Sequence, residues 1–318
     1  LAIGGVLRDI GGNMRIGRSE YFVTEACEYT NSFLSFFPKI GIILNIGEDH
    51  LDFFKDLADI RHSFCRFARL LPEDGCLIIN GQIENLEEIT GGLCCKVITF
   101  GADSSCDYYP TDIQYDTVGN PAFILHGPDG SGRSFQLKVP GEHNVYNAMA
   151  AIALADCLSV TEEITRKALG AYQGTERRFE YKGSIGGVTV IDDYAHHPAE
   201  ITATLKAAAN YPHKRIWCVF QPHTYTRTKA FLNEFAEALS LADRIVLADI
   251  YPAREKFDPS ISSEMLQEKV RCLGKECDYF PTFDEIENFL LENCINGDLL
   301  ITMGAGDIVK VGECLLGK

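Results

Sequence analysis

The chain has 318 residues, with 45 acidic and 29 basic side chains and a formal net charge of −16. Hydrophobic residues make up 46% and charged residues 23%, which is typical of a globular protein, and the length favours two domains. The negative charge argues against bulk attraction to nucleic acid or anionic lipid, but a local basic pocket can still bind a small anion. No apolar run approaches the roughly 20 residues that a membrane helix needs, and the N-terminus does not have the pattern of a secretory signal.

The chain contains twelve cysteines, none of them in C-x-x-C spacing. Scattered cysteines without a secretory signal are typical of reduced thiols in a cytoplasmic enzyme and argue against a zinc site. We therefore expect a cytoplasmic protein without membrane insertion, whose oligomeric state the sequence leaves open.

The first half of the chain predicts a mixed α/β domain. Helical spacing of apolar residues predicts a helix over 57–71, and two further helices are predicted over 144–157 and 161–172. Polar–apolar alternation broken by Gly- and Pro-containing turns predicts a small antiparallel meander within 107–140. Apolar runs of strand length predict strands over 21–27, 40–46, 76–80 and 96–100.

The second half predicts a doubly wound, mostly parallel sheet of the Rossmann-like type. Its predicted strands are almost uniformly apolar, as parallel strands buried on both faces are, and cover 188–192, 215–220, 244–248 and 299–302. A predicted helix follows each of the first three, over 198–210, 228–241 and 260–273. We place the boundary between the two domains at 178/179, which gives domains 1–178 and 179–318.

Ligands of such sheets bind beyond the carboxyl ends of the strands, and polar clusters follow several predicted strands. The first cluster, 45–52, contains Asp49 and His50, which suit a divalent cation held together with phosphates. Glu25, at the end of the predicted strand 21–27, either joins the same cation or is a solvated strand end. The alternative for the cluster itself is that Asp49 or Asp52 caps the following helix.

A second cluster, 141–147, places Asn144 and Asn147 on one face of the first turn of a helix. Their carboxamides can both donate and accept hydrogen bonds, which suits the edge of a nucleobase. Capping of the helix by asparagine is the alternative, and the residues by themselves favour it.

A third cluster, 175–180, contains Arg177 and Arg178 at the proposed domain junction. A guanidinium there suits a phosphate, which it can bind through two donors. The alternative is an ion pair with Glu176 or Glu180.

The fourth cluster ends a buried strand and begins a helix at Pro198. It contains two carboxylates, a phenol and two imidazoles, namely Asp192, Asp193, Tyr194, His196 and His197. Helix capping requires one such side chain rather than five, so this cluster predicts a functional site.

A fifth cluster, 220–228, follows the next strand and contains His223 and Arg227. Two further strand ends carry 249–255 and the glycine-containing segment 303–307. Between 196 and 230 there is one acid, Glu200, against five bases, namely Lys206, Lys214, Arg215, Arg227 and Lys229. This excess predicts that anions bind near these two strand ends.

These clusters in this order resemble the Mur ligases, the ATP-dependent amino-acid ligases of peptidoglycan precursor synthesis, and in particular their alanine-adding branch. The resemblance runs along essentially the whole chain and is most specific in the strings Asp-Asp-Tyr-Ala-His-His-Pro (192–198) and Phe-Gln-Pro-His (220–223). It implies an incomplete central ATP-binding domain followed by the Rossmann-like domain. It also implies a ligation of L-alanine to the carboxylate of UDP-N-acetylmuramate through an acyl phosphate.

The resemblance further implies a role for each candidate residue. Glu25 and His50 would hold Mg²⁺, His143, Asn144 and Asn147 would lie at the adenine, and Asp193 would accept hydrogen bonds from the ribose. Arg178 and His196 would act catalytically on the phosphates of ATP. The residues that would bind the substrates of ligation are Tyr194, His197, His223 and Arg227.

The sequence departs from the family in several places. The position after His223 is usually Arg in this branch and is Thr224 here, so that Arg227 is the nearer carboxylate ligand. The family's N-terminal domain and its Gly-x-x-Gly-Lys-Thr-type phosphate loop do not occur in the 318 residues, from which we expect a fragment that does not turn over ATP by itself. Two alternatives remain open: a ligase that recycles murein tripeptide, and a non-catalytic binding module.

Overall fold

A computed structural model describes residues 1–318. The chain divides into two compact units. The first unit comprises residues 1–116 and 120–173, and the second comprises 117–119 and 174–318. The division at 173/174 lies a few residues before the boundary predicted at 178/179. No helix is long and apolar enough to span a lipid bilayer.

The first unit contains eight strands and four helices. Its strands are β1 (Ala2–Leu7), β2 (Gly12–Met14), β3 (Ile40–Ile43), β4 (Cys76–Asn80), β5 (Lys96–Phe100), β6 (Tyr109–Tyr115), β7 (Pro121–His126) and β8 (Gly132–Gln136). Its helices are α1 (Leu57–Ala68), α2 (Glu87–Thr90), α3 (Glu142–Cys157) and α4 (Glu162–Ala171).

Three of the four predicted strands of this unit form a parallel sheet in the order β3-β4-β5. The antiparallel meander is confirmed as a separate sheet, β6-β7-β8. A core formed by both sheets and by α3 includes Ile78, Phe100, Phe123 and Met149, all of them almost completely buried.

The predicted strand over 21–27 is wrong. Within it only Thr24 pairs, in an isolated bridge to Ala2, and Tyr21, Phe22 and Val23 are exposed. The segment has the composition of a strand, but a strand also needs a partner for its backbone groups over its whole length. Sequence analysis missed the hairpin β1-β2 that precedes it.

The second unit contains six strands and six helices. The strands are β9 (Glu180–Ile185), β10 (Val188–Asp193), β11 (Ile216–Phe220), β12 (Arg244–Leu247), β13 (Glu276–Tyr279) and β14 (Leu299–Met303). The helices are α5 (Pro198–Ala209), α6 (Tyr225–Ala230), α7 (Leu232–Leu239), α8 (Ser263–Cys272), α9 (Phe283–Asn293) and α10 (Val309–Leu315). The single helix predicted over 228–241 is thus two helices, which meet at Phe231 where the backbone is not helical.

The six strands form one sheet in the order β13-β12-β11-β14-β10-β9, parallel except for the antiparallel edge strand β9. The predicted mostly parallel sheet is confirmed, although β9 and β13 were not predicted. The last strand, β14, lies between β10 and β11, and Met303 pairs in register with both Asp193 and Phe220. The carboxyl ends of these three strands therefore lie side by side, which brings residues from distant parts of the chain to one edge of the sheet.

Candidate active site

Asp192, near the carboxyl end of β10, forms a buried ion pair. Its side chain is fully buried, and its Oδ2 accepts a hydrogen bond from Arg177 Nε at 2.9 Å while its Oδ1 accepts one from Thr302 Oγ1 at 2.7 Å. Burial raises the pKa of Asp192, and Arg177 and Thr302 oppose that effect. A buried carboxylate needs such partners, because an isolated charge is costly to remove from water.

The Arg177 guanidinium also binds the loop that follows β14. Its Nη2 donates to the Gly304 carbonyl at 2.8 Å and its Nη1 to the Gly306 carbonyl at 3.3 Å. One side chain thus connects the domain junction, β10 and the 303–307 loop. Sequence analysis assigned a phosphate role to its neighbour and no role to Arg177, because only the fold shows which guanidinium points inward.

Arg178 lies at the surface of the second unit. Its side chain is half exposed, and Nη1 donates to Glu200 Oε1 at 3.1 Å. The partner of Arg178 is therefore on α5, whereas Glu180 accepts a hydrogen bond from the Arg177 backbone N–H at 2.8 Å. Arg178 also lies over the Tyr194 ring, 5.7 Å from its centroid.

The Asp193 carboxylate is buried and hydrogen-bonded within the protein. It is buried, and its carboxylate accepts hydrogen bonds from Ala195 N, Thr204 Oγ1 and Phe179 N at 2.8–3.0 Å. Burial raises the pKa of Asp193 to about 6. The structure does not support the predicted contact of Asp193 with ribose, because three protein donors already bind the carboxylate and only 4% of the residue is exposed.

His197 caps α5. Its Nδ1 accepts a hydrogen bond from Ala199 N at 3.3 Å, and Glu200 Oε2 accepts one from His197 N at 3.2 Å, which completes a capping box with Pro198 at the first helical position. Capping occupies Nδ1 of His197, and the substrate role predicted for this residue stays a prediction that would use the other ring nitrogen, Nε2.

Four aromatic rings from three strand ends form a continuous cluster, which we call the ring cluster: Tyr194, His196, His223 and Tyr251. The ring centroids of Tyr194 and His196 are 5.4 Å apart, and those of His196 and His223 are 5.6 Å apart. His223 stacks on Tyr251 at 5.6 Å with an angle of 12° between the ring planes. The structure thus brings together three predicted site residues, and adds Tyr251.

Arg227 lies at the same cluster. Its Nη1 donates to the His223 carbonyl oxygen at 2.9 Å and lies 3.2 Å from His223 Nδ1. Burial, His196 and Arg227 together lower the pKa of His223 to about 4. At neutral pH the site therefore has an uncharged His223 imidazole beside a guanidinium, a combination that suits a carboxylate ligand.

The other bases of 196–230 do not gather at this site. Arg215 precedes β11, at the opposite end of the strand, where it pairs with Asp298 at 2.6 Å. Lys229 pairs with Asp258 and donates to Ser260. The bases of the segment 196–230 are thus spread over both ends of the sheet and do not form one positive site. Thr224, the residue after His223, donates to Glu255 Oε1 at 2.6 Å.

In the first unit, Asn144 and Asn147 lie together on the first turn of α3. Asn144 Nδ2 donates to the Pro140 carbonyl at 2.7 Å, and Asn147 Nδ2 donates to Asn144 Oδ1 at 3.2 Å. The residue that caps α3 is Gly141, with no side-chain hydrogen bond, so the asparagine-capping alternative is wrong. His143 lies on the same turn.

The two predicted metal ligands, Glu25 and His50, each contact another residue of the first unit. Glu25 Oε2 accepts a hydrogen bond from Gly4 N at 2.5 Å, and His50 Nε2 lies 3.3 Å from Glu28 Oε1. The chain has no group of three or more His, Cys, Asp or Glu side chains placed to hold a metal ion. Because Mg²⁺ usually takes one or two ligands from a protein and completes its shell with water and phosphate, Glu25 and His50 stay predicted Mg²⁺ ligands.

The capping alternative for the 45–52 cluster is also wrong. The residue that caps α1 is Asp56, whose side chain accepts a hydrogen bond from Asp59 N at 2.9 Å. Asp49 instead accepts one from His50 N at 2.7 Å, and Asp52 accepts one from Tyr29 Oη at 2.7 Å.

Two family domains match the chain. The Mur ligase middle domain matches residues 8–155, and the Mur ligase glutamate ligase domain matches residues 177–306. The chain belongs to the Mur ligase family. A Mur ligase of Lachnospira eligens, named UDP-N-acetylmuramate–L-alanine ligase, is 59% identical over 99% of this chain, which covers 69% of that relative.

Solved Mur ligase structures share this fold. A UDP-N-acetylmuramate–alanine ligase from Thermotoga maritima is similar with a TM-score of 0.81 and 28% identity, and the match covers 99% of this chain and 67% of that one. A murein peptide ligase from Psychrobacter arcticus is similar in fold, with a TM-score of 0.66 and 24% identity over 96% of this chain and 65% of that one.

Proposed function

We propose that the protein joins L-alanine to the carboxylate of UDP-N-acetylmuramate in peptidoglycan precursor synthesis, with ATP converted to ADP and phosphate. The observation that carries this proposal is Arg227 at the ring cluster, in a chain that is 59% identical to a relative of that name. A guanidinium beside an uncharged imidazole suits the carboxylate of an amino acid.

The reaction has two steps. The substrate carboxylate attacks the γ-phosphorus of ATP, which gives an acyl phosphate and ADP. The amine of L-alanine then attacks the acyl carbon, the C–N bond forms, inorganic phosphate leaves and the amine gives up a proton. Catalysis of this kind depends on orienting the reactants and on neutralising the phosphoryl charge.

In this scheme the residues of the second unit divide into two roles. Arg227, His223 and Tyr194 bind and orient the amino acid, while His196 and Arg178 face the phosphoryl groups. Arg177 and Asp192 position the 303–307 loop without touching substrate. His143, Asn144 and Asn147 of the first unit are proposed to contact adenine.

The test is the substitution Arg227→Ala in the whole protein, assayed for alanine-dependent phosphate release. Loss of a charged hydrogen bond is expected to raise the KM for L-alanine by about tenfold or more, with the KM for ATP unchanged. Lys229→Ala is the matched control, because Lys229 lies on the same helix but pairs with Asp258. An unchanged KM for L-alanine in Arg227→Ala would refute the role of Arg227.

The acceptor itself is tested by replacing L-alanine with a preformed murein tripeptide. We expect product with L-alanine and none with the tripeptide. Preferential use of the tripeptide would overturn the proposal in favour of a recycling ligase.

A further inference from the structure

Glu255 lies in the loop that follows β12, and both oxygens of its carboxylate bind the start of α6. Its Oε1 accepts a hydrogen bond from Thr224 Oγ1 at 2.6 Å, and its Oε2 accepts one from Thr226 N at 3.0 Å. Thr224, the residue before α6, makes no side-chain capping bond to its own helix. Because the first N–H groups of a helix have no partner within it, Glu255 acts as the cap of α6 from a different strand end.

The Glu255 carboxylate is charged in this position. Burial raises its pKa, but the hydrogen bonds from Thr224 and Thr226 outweigh that effect and hold the pKa of Glu255 below its usual range. A charged acceptor makes stronger hydrogen bonds than a neutral one. The contact between the loop and α6 is therefore at full strength at neutral pH.

A second contact connects the same loop to the end of β11. Tyr251 N donates to the Pro222 carbonyl at 2.8 Å, and the Tyr251 ring stacks on His223. The loop after β12 thus holds the chain at two points, with Tyr251 before His223 and with Glu255 after it. The stretch that contains His223 is fixed between them.

Arg227 follows directly on the part of α6 that Glu255 holds. It comes one residue after Thr226, and its Nη1 donates to the His223 carbonyl at 2.9 Å. The helix has only six residues, and helices this short are not stable without contacts from outside. The place of the Arg227 guanidinium at the ring cluster therefore depends on what holds the start of α6.

We propose that Glu255 is a positioning residue for the amino-acid site, which caps α6 and so holds Arg227 where its guanidinium meets the carboxylate of the amino acid. The proposal rests on the proposed function, because it concerns the same ligand. Glu255 acts through Arg227 and does not itself touch the substrate. The competing interpretation is a cap that stabilises the fold and has no effect on Arg227.

The first test is a double-mutant cycle in the whole protein. Glu255→Ala should raise the KM for L-alanine by about tenfold or more with the KM for ATP unchanged, since misplacement of a binding group by an ångström is costly. In the Arg227→Ala background the same substitution should have little further effect on that KM. A contribution that acts through Arg227 is lost only once, so the two effects are not additive.

Two milder variants test the contact itself. Glu255→Gln keeps the shape of the side chain, and its amide can bind Thr226 N through the oxygen and Thr224 Oγ1 through the nitrogen. Its KM for L-alanine should therefore be closer to the wild type than that of Glu255→Ala. Thr224→Val removes one of the two hydrogen bonds and should raise the KM in the same direction by a smaller factor.

The matched control is Glu285→Ala. Glu285 caps α9 in the same manner, because its Oε2 accepts hydrogen bonds from Thr282 Oγ1 at 2.8 Å and from Thr282 N at 3.3 Å. This helix follows β13, the strand at the edge of the sheet. We expect a lower urea midpoint of unfolding in Glu285→Ala with an unchanged KM for L-alanine.

The second test does not depend on turnover. Burial, His196 and Arg227 lower the pKa of His223, and Glu255 raises it. NMR titration should show that Arg227→Gln raises the pKa of His223 in the wild-type background and raises it less in the Glu255→Ala background, where the guanidinium is no longer held at the ring. The lost charge of Glu255 is common to both members of the second comparison and cancels.

Three outcomes would overturn the inference. One is additive effects of Glu255→Ala and Arg227→Ala on the KM for L-alanine, another is an equal rise of the His223 pKa in both backgrounds, and the third is that Glu255→Ala behaves like Glu285→Ala. If the wild type showed no alanine-dependent turnover while the titrations agreed with expectation, the proposed function would fail and the positioning of Arg227 by Glu255 would stand. The two failures are thus distinguishable.

Discussion

Arg177 and Asp192 form an ion pair of 2.9 Å that is closed to solvent on the carboxylate side, and the same guanidinium binds the carbonyl groups of Gly304 and Gly306. The Arg177 guanidinium also lies over the Tyr194 ring of the ring cluster, 4.9 Å from the ring centroid. The geometry of the ion pair determines where the 303–307 loop lies relative to Gln221 and Tyr251, and so it controls the shape of the site without direct contact with substrate.

Arg177→Met should destabilise the second unit severely. The substitution leaves Asp192 buried without its cation, which costs about 3–5 kcal/mol in comparable cases. Urea unfolding monitored by fluorescence of Trp217, in the core of this unit, measures the change. Arg178→Met is the control, because the exposed pair with Glu200 is expected to contribute less than about 1 kcal/mol. Equal effects of the two substitutions would contradict this account of Arg177.

Asp193 should make the folded state less stable as pH rises between about 4 and 6. Its pKa is raised from 3.8 to about 6, so in this window the unfolded chain has released the proton and the folded chain retains it. The free energy of unfolding then falls with rising pH, by up to roughly 3 kcal/mol for this residue. Urea unfolding at a series of pH values tests this, and Asp193→Asn should remove the part of the slope that Asp193 contributes. If the free energy of unfolding changed with pH in the same way in the wild type and in Asp193→Asn, the expectation would be contradicted.

His223 should remain uncharged well below neutral pH. Its pKa is lowered to about 4 by burial, by His196 and by Arg227. Arg227→Gln removes one of these causes, so the pKa of His223 should rise towards its ordinary value of 6.5. NMR titration of the imidazole nitrogens measures both values. The same titration in Lys229→Gln should match the wild type, and an identical His223 pKa in Arg227→Gln would show that the guanidinium does not act on the ring.

Gly306→Ala should weaken the binding of L-alanine, because the added methyl group collides with neighbouring side chains. The new Cβ would lie 2.3 Å from Gln221 Oε1 and 2.9 Å from the Tyr251 ring, so one of these side chains must move. We expect a rise of about tenfold or more in the KM for L-alanine, since misplacement by an ångström is costly. Gly170→Ala is the control, because its Cβ meets only the Gln136 carbonyl at 3.9 Å, and alanine favours the helix by about 1 kcal/mol. A Gly306→Ala enzyme with wild-type kinetics would refute this description of the loop.

The sequence predicted the parallel strands of the second unit closely, because their uniformly apolar runs are followed at once by polar residues. β10 and β14 each extend one residue beyond the predicted end, and β11 begins one residue later than predicted. The antiparallel meander was equally predictable from alternation and turn residues. The strand predicted over 21–27 was wrong, because a segment with the composition of a strand forms one only where the rest of the fold provides a pairing partner.

The sequence could not predict which side chains of a polar cluster are bound within the protein and which face the ring cluster. In 192–198 the side chains of Asp192, Asp193 and His197 are bound by Arg177, Thr204 and the α5 backbone, and His196 alone of the two histidines joins the ring cluster. In 177–178 the inward guanidinium is Arg177. Two adjacent arginines or histidines look alike in the sequence. Their burial and their partners in the fold show which of them is held by the protein and which faces the ring cluster or solvent.

The sequence by itself determined the family, the class of fold and the strand ends at which polar residues collect, because these depend on local patterns of apolar and polar side chains. Only the tertiary structure decided that β14 lies between β10 and β11, and that Arg177 reaches Gly306, 129 residues away. The contact between Glu255 and Thr224 follows from the same arrangement, because it joins the ends of two neighbouring strands. Strand order is set by long-range packing, and such a contact is a property of that packing rather than of any segment of the chain.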